Sequence, residues 1–582
     1  MRDGRGDVNG ATDARALATW LSGCDDAALE AIFADRAVPP QAPWHDFFDV
    51  AEALLEPASV DRALAATARD DLIALEAGRP PEPRPRTLVR NDGTPYAAVA
   101  ARLAEARSAD PAAFAPLEPA ASPAPADERI AAASAERIFT SLSALTDIVA
   151  ASLDIPVSTT AAGTVSAVHR RTLVEDGVVD DGDVLDDLLA LAADAGLLRA
   201  VDREWRVTEG GERWLALPAL ERWDAVARAF ARQLPTGIRT AGGGYAPFSS
   251  WESAYPLDPT WPARATALGR RADRWGLSSG DEEPAWAAPL RRSGVPDTDA
   301  LGAHLPAEID KIYLQADLTA IAPGPLRSDL DLRLRAMAAR ESRAQASTYR
   351  FTDETVGAAV AGGETEESIR DFLAGLSLTG IPQPLAYLVE RTAARHGLVR
   401  VGTDAETGRT RVASSDEALL RALAVDQSVR AVGLVETGDV LTTRVPRDAV
   451  FWTLADARYP VVALDANGNP EPLRRRRPLL TDAPRPSAAH ERLITQLRES
   501  ADAGSDAAWL ERELEQAVRS RAVVVVTVLL PDGSSRDLVM EASGLGGGRF
   551  RGLDRAADVE RTLPVSSIAA VRLAPVAETP GR

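Results

Sequence analysis

A single lysine, Lys311, stands among 65 basic residues, and every other one is arginine. It sits in Asp310-Lys311-Ile312, so the Gly-Lys-Ser/Thr end of a phosphate-binding P-loop occurs nowhere in the chain. A P-loop motor is therefore excluded. Kinase-type ATP sites and most Schiff-base chemistry are excluded with it, since each needs a lysine in a defined context.

The remaining counts narrow the function further. A net charge of −21 opposes any coating of nucleic acid over the whole surface, so a DNA contact must rest on local arginine patches. The lone Cys24 forms no internal disulfide, and His45, His169, His304, His396 and His490 are too scattered for a zinc site, so no metal is expected. No apolar run reaches the roughly 18 residues of a membrane span, and MRDGRGDVNG lacks the apolar core of a signal peptide. The expected location is cytoplasmic, with nucleoid association left open, and no membrane partner or cofactor is expected.

With 582 residues the chain is multidomain, and its pattern predicts a mixed α+β protein in seven stretches. Residues 1–78 read as a helical module, with Leu17, Leu21, Leu29, Ile32 and Phe33 at helical spacing and Ser59 as an N-cap. Residues 79–127 are rich in proline and alanine and read as a partly ordered linker. Residues 128–240 have the order helix, turn, helix, short hairpin, as in a winged helix. The helix GDVLDDLL in that stretch is acidic where a DNA reader shows Arg or Asn, which favours protein docking over base reading. Residues 241–304, rich in Gly, Pro and Trp, read as an irregular connector.

Residues 305–465 alternate strands and helices, opening with one strand over 312–322. On that strand Ile312, Leu314, Ala316, Leu318 and Ala320 form the expected core face, and Gln315 and Asp317 are expected to be structural. Residues 466–484 form an Arg/Pro linker. Residues 485–582 open with HERLITQLRES and end in short strands with Asp-Gly and Gly-rich turns, which predict a small SH3-like β-barrel.

Catalytic motifs do not survive inspection. Gly276-Leu277-Ser278-Ser279-Gly280 spells G-x-S-x-G, but the preceding ADRW is not the buried strand that a nucleophile elbow requires. Asp465 to Asn469 begins like a calcium loop, yet Pro470 and Arg476 replace its Gly and Glu, which leaves a turn. Gly544 to Gly548 precedes a strand, not a helix, and reads as a hairpin turn. Asp180, Asp181, Asp186 and Asp187 read as a solvated face at a helix start. No catalytic residue is expected, and the chain is expected not to be an enzyme.

The candidates for nucleic-acid contact are arginines. Arg391, Arg395 and Arg400, with His396, cluster at a helix end and the strand after it. Arg474, Arg475, Arg476 and Arg477 form a dense run beside Pro478, and Arg549 and Arg551 flank a C-terminal turn. Such residues contact phosphates and position a duplex without reading its sequence.

The segments IYLQADLTAIAPGPL, ESRAQASTYRFTDETVGAAVAGGETEESIRDFL and TGIPQPLAYLVERTAARHGLVRV resemble actinobacterial helicase-associated proteins whose core is similar to the N-terminal domain of XPB helicases. LATWLSGCDDAALEAIF and the stretch from Gly163 through Trp223 resemble the same family. The resemblance implies an XPB-N-like domain without a motor, with an XPB-family helicase and DNA as partners in repair or transcription. The C-terminal stretch is similar to WYL domains, although Arg551-Gly552-Leu553 stands where Trp-Tyr-Leu is expected. That second resemblance implies the alternative of a ligand-sensing transcriptional regulator.

Overall fold

The computed structural model describes residues 6–573 except 80–84, 162, 344–345, 396, 406, 470, 472, 474–477, 481–487, 503–504 and 531–533. The architecture is mixed α/β with several small sheets, none closed into a barrel. The chain divides into two units, one of residues 1–120, 250–265 and 482–582 and the other of residues 121–249 and 266–481.

The first unit begins with helices Gly6–Ser22, Asp26–Asp35, Phe47–Leu55, Pro57–Ala65 and Arg69–Glu76. Asp25 and Asp46 cap two of them by accepting from backbone amides of the first turn. The expected cap Ser59 instead lies inside the helix Pro57–Ala65, where Pro57, which has no N–H, takes the first position and removes one of the first-turn amides that would need a partner. The Ser59 carbonyl accepts from the buried Arg36 guanidinium at 2.7 Å.

Residues 79–127 are more than a linker. They supply the helix Ala97–Ala109, and Leu88, Val89, Tyr96, Val99, Leu103 and Phe114 are buried in the helical core. The apolar residues between the prolines are spaced closely enough to reach that core. The C-terminal helix Glu491–Asp502 enters the same core through Leu493, Ile494 and Leu497. His490 fastens this junction: its Nδ1 lies 2.9 Å from Glu30 Oε1, both residues buried, and its Nε2 lies 2.8 Å from the Val38 carbonyl.

The last five strands, Val523–Leu529, Ser535–Gly546, Arg549–Asp554, Val559–Pro564 and Ile568–Leu573, form one antiparallel sheet. Its order is 559–564, 549–554, 535–546, 523–529, 568–573. The expected barrel is not closed, because among the described residues no ladder joins the two outer strands, which are linked in sequence by the 3-10 turn Val565–Ser567. The long strand bends at a bulge between Ala542 and Gly544, and the Gly-rich stretch is the expected hairpin turn, with Gly547 and Gly548 at positive φ.

The second unit starts with the helix Glu128–Ala151, capped by Asp127, followed by helices Ala167–Glu175 and Gly182–Asp194. A three-stranded sheet of order 157–158, 204–207, 198–201 brackets the last two of these helices in sequence. Residues 241–304, expected to be irregular, carry buried tryptophans that are satisfied locally. In this unit Trp275 Nε1 donates to the Trp223 carbonyl at 3.2 Å, Trp223 Nε1 donates back to the Trp275 carbonyl at 3.1 Å, and Trp286 Nε1 donates to Gly276 at 2.8 Å. Two glycine segments touch closely here, and a Cβ on Gly244 would stand 1.9 Å from the Arg291 carbonyl.

The single strand expected over 312–322 is a hairpin. Tyr313–Leu314 pairs antiparallel with Thr319–Ala322, and Leu318 turns the chain with a φ of 65°. Asp317 makes this turn, accepting from the Thr319 amide at 3.1 Å and from its hydroxyl at 2.6 Å. Period-two alternation alone cannot show a turn of this kind, since Ala316 and Leu318 are as apolar as their strand neighbours. Ile312, Leu314 and Ala320 are nevertheless buried as expected, whereas Ala316 is exposed.

Candidate nucleic-acid interface

The hairpin belongs to a four-stranded sheet of order 313–314, 319–322, 347–350, 339–343, and three helices follow it: Asp353–Ala361, Glu366–Leu376 and Gln383–Arg395. Thr352 with Thr355 and Thr365 with Ser368 form reciprocal capping boxes that set the first two starts. Val356, Ile369, Phe372, Leu373, Leu385, Leu388 and Val389 bury the shared face. The opposite face of Gln383–Arg395 exposes Tyr387, Arg391 and Arg395, and the chain passes through Gly397, at a φ of 79°, into the strand Val399–Thr403.

The expected arginine cluster separates into two kinds. Arg391 is already engaged: one terminal nitrogen donates to both Asp353 oxygens, at 2.5 and 2.6 Å, and the guanidinium lies over the Tyr387 ring. The Asp353 hydrogen bond and charge raise its pKa above the ordinary arginine value. Arg391 therefore ties two helices together more than it awaits a phosphate. Arg395 and Arg400 are exposed and have no ion pair among the described residues; Arg400 Nε reaches only the Gly397 carbonyl, at 3.4 Å.

A residue that the sequence reading passed over joins them. Arg411 is exposed on the strand Thr410–Ser414, and the ladder places Gly402 opposite Arg411 and Ala413 opposite Arg400. The alternation of Thr410 and Val412 inward with Arg411 outward was the available signal.

Residues 312–438 match the family described as helicase conserved C-terminal domain. No curated protein matches the chain. The segment matching this helicase C-terminal family includes the hairpin, the three helices and the Arg400–Arg411 strand pair. Among the described residues the ladders that lie wholly within the helicase-type segment are antiparallel, and its strand Val399–Thr403 also pairs in parallel with the strand Val461–Ala463 beyond it.

Outside the helicase-type segment, Arg549 and Arg551 project from one exposed face of their strand, opposite Gly546 and Gly544 on one side and Pro564 and Thr562 on the other. Neither has an ion pair among the described residues. They belong to the first unit, whereas Arg391, Arg395 and Arg400 belong to the second. The run Arg474 to Arg477 lies outside the described residues, as does His396.

The acidic helix Gly182–Asp194 is not the wholly solvated face expected. Asp181 is its N-cap, and Asp186 accepts from Arg170 at 2.9 and 3.0 Å. Asp187 is buried, with Arg270 at 2.8 Å, Arg274 at 3.3 Å and Arg271 at 3.6 Å around its carboxylate. Its burial depends on arginines about 85 positions away, which spacing along the helix cannot reveal.

A second charged network joins the helix Glu128–Ala151 to the helicase-type segment. Asp147 meets Arg335 at 2.5 Å and Arg340 at 3.2 Å, Arg335 meets Asp331 at 2.8 Å, and the Tyr349 hydroxyl donates to Asp331 at 2.5 Å. Burial alone would push the Arg335 pKa down, but the Asp331 and Asp147 carboxylates outweigh it and hold it above the ordinary value. Nearby, Arg222 donates to Thr146 Oγ1 at 2.8 Å and Ser328 Oγ at 2.9 Å, and burial lowers its pKa to about 10.

Ser278 of the G-x-S-x-G sequence follows the helix Trp261–Arg274 in a turn, with Gly276 packed against Ile138. Asp465 likewise makes a turn, accepting from the Asn467 and Asn469 amides at 2.8 Å. Among the described residues no group of three metal-ligating side chains converges, and no helix is long and apolar enough to cross a membrane.

Proposed function

We propose that this chain is a non-motor, non-enzymatic accessory protein of XPB-type DNA repair or transcription machinery, acting by protein docking and weak contact with the DNA backbone. The observation that carries the reading is the pair Arg395 and Arg400, exposed and without ion pairs among the described residues, within a segment of helicase-family type. The missing Gly-Lys-Ser/Thr loop supports the absence of a motor, because without it no backbone cradle and lysine are present to hold the phosphates of a nucleotide.

The order of helices and hairpin over 128–207 supports a winged helix, and its acidic helix, turned onto Arg270, Arg271 and Arg274, supports docking over base reading. An XPB-family helicase is the proposed partner, on the resemblance of residues 305–465. In the last sheet, the strand order and the 3-10 turn before the final strand support an SH3-type, WYL-like arrangement that presents Arg549 and Arg551.

The test is a salt titration of the full chain on single-stranded, duplex and forked DNA. About three to five phosphate contacts give a slope of roughly −3 to −5 in log K against log salt, with Kd near 10⁻⁴ to 10⁻⁶ M. Arg395→Ala with Arg400→Ala should flatten that slope without changing sequence preference. No binding to any of the three DNAs at low salt would remove DNA contact from the reading and leave docking.

A further inference from the structure

We propose that the exposed face of the five-stranded sheet around Arg400 and Arg411 is a binding platform for single-stranded nucleic acid. This deepens the DNA-associated reading above and rests on it. The sheet has the order 435–437, 440–443, 410–414, 399–403, 461–463. One face is covered: Leu420, Leu423, Val450, Phe451 and Leu454 of the helices Glu417–Val425 and Arg447–Asp456 pack with Val399, Val401, Val412 and Leu441. The other face is exposed at Arg400, Arg411, Val435 and Thr437.

The register gives this face its chemistry. Arg400 stands opposite Ala413 and Arg411 opposite Gly402, so the two central strands carry a checkerboard of arginine and small residue. The Leu464 side chain borders this face beside Gly402 and Val462 is buried opposite Arg400, so the open part lies toward Arg411, Thr442 and Val435; a guanidinium there can stack on a base while donating to phosphate. Thr442 follows beside Arg411, and its hydroxyl lies 3.0 Å from that of Thr437. No carboxylate stands on this face of the ladder: its one acidic member, Glu436, pairs with Leu441 and so belongs to the covered side. Asp404, at the tip of the adjoining hairpin, accepts from the Thr407 amide at 2.8 Å and its hydroxyl at 2.7 Å.

The width of the sheet selects the ligand. Strands about 4.8 Å apart make five of them roughly 19 Å across. A major groove about 12 Å wide admits a helix or a two-stranded ribbon, so this sheet cannot enter one. A duplex also keeps its base faces stacked inside, whereas a single strand offers bases and phosphates together. Two arginines without ion pairs among the described residues suit that polyanion, with Asp404 at the strand end already engaged by the Thr407 amide and hydroxyl, and salt screens charges farther away than about 8 Å.

The experiment uses the full chain and fluorescently labelled oligo-dT, oligo-U and a duplex DNA of mixed sequence, between about 50 and 200 mM salt. Arg400→Ala and Arg411→Ala should each weaken oligo-dT binding about tenfold, the loss of one charge-assisted contact. Each should also flatten the single-strand salt slope by about 0.7. Ala413→Glu should weaken binding at least as much, while Arg421→Ala, on a helix of the covered side, should leave it unchanged. Thermal melting and circular dichroism establish that each variant is folded. Comparable losses on oligo-U assign the site to backbone and base chemistry common to DNA and RNA, and a loss on oligo-dT alone assigns it to DNA. The proposal is overturned if wild type binds no single strand, or if folded Arg400→Ala and Arg411→Ala bind oligo-dT as tightly as wild type. It is also overturned if Arg421→Ala loses as much. Duplex or forked-DNA binding that persists in those cases would leave the DNA-associated reading standing while this platform falls.

Discussion

Asp147→Asn removes one charge from the network between the helix Glu128–Ala151 and the helicase-type segment while keeping the side chain's shape. In the native protein two carboxylates, Asp147 and Asp331, balance two guanidiniums, Arg335 and Arg340, whose side chains are only 16% and 12% exposed. The variant leaves a net positive charge there with little water to solvate it. At an effective dielectric of about 20, unit charges roughly 4 Å apart interact by about 4 kcal/mol, and breaking a buried pair by removing one partner costs about 3–5 kcal/mol. We therefore expect a loss of about 3–5 kcal/mol from the unit of residues 121–249 and 266–481.

The assay is urea unfolding followed by tryptophan fluorescence. Only one of the transitions should shift, with its m-value unchanged, because the denatured chain exposes the same surface. Glu417→Gln is the internal control: it breaks the exposed pair Arg421–Glu417, with side chains 72% and 84% exposed, and should cost no more than about 1 kcal/mol. The Asp147→Asn, Arg340→Met double variant should recover part of the loss, since removing both partners leaves less uncompensated charge. A shift below about 1 kcal/mol for Asp147→Asn, equal to that of the exposed control, would refute the claim that this network holds the two elements together.

Four further outcomes are expected. Hydrogen bonds from Arg333, opposed by burial, hold the Glu364 carboxyl below the ordinary glutamate value. Its stabilising contribution is thus complete above the unfolded pKa, about 4.3, and is lost as pH falls through the lower folded value, so Glu364→Gln should flatten stability against pH over that acidic window. Gly244→Ala should destabilise by more than the usual 1–3 kcal/mol of an overpacked site, because its Cβ would meet backbone at 1.9 Å; an unchanged Tm would contradict the close approach. His490→Ala leaves Glu30 with the residue 490 backbone amide but without its imidazole partner, and should lower stability by about 1–3 kcal/mol in the first unit, read by denaturant unfolding. Calorimetry with ATP should show no stoichiometric binding, and turnover abolished by altering a defined site would overturn the non-motor reading.

The sequence by itself determined the mixed α/β character and the turns at Asp465 and at Gly547-Gly548, because these depend on local periodicity, caps and backbone freedom. It also determined the absence of a Gly-Lys-Ser/Thr loop, which needs no fold to be known. What it could not determine was pairing between distant residues. The 312–322 run reads as one strand because alternation is blind to a turn made by Asp317 and Leu318. HERLITQLRES reads as the start of the last domain, yet Leu493, Ile494 and Leu497 lie in the N-terminal helical core, since any amphipathic helix suits any apolar surface until packing chooses one. Arg391 and Arg400 look alike in sequence, and only tertiary structure sets Asp353 against the first while leaving the second on an open sheet beside Arg411. Whether a charged side chain is spent inside the fold or left for a partner is decided by the residues that folding brings within a few ångströms of it, and those residues lie far along the chain.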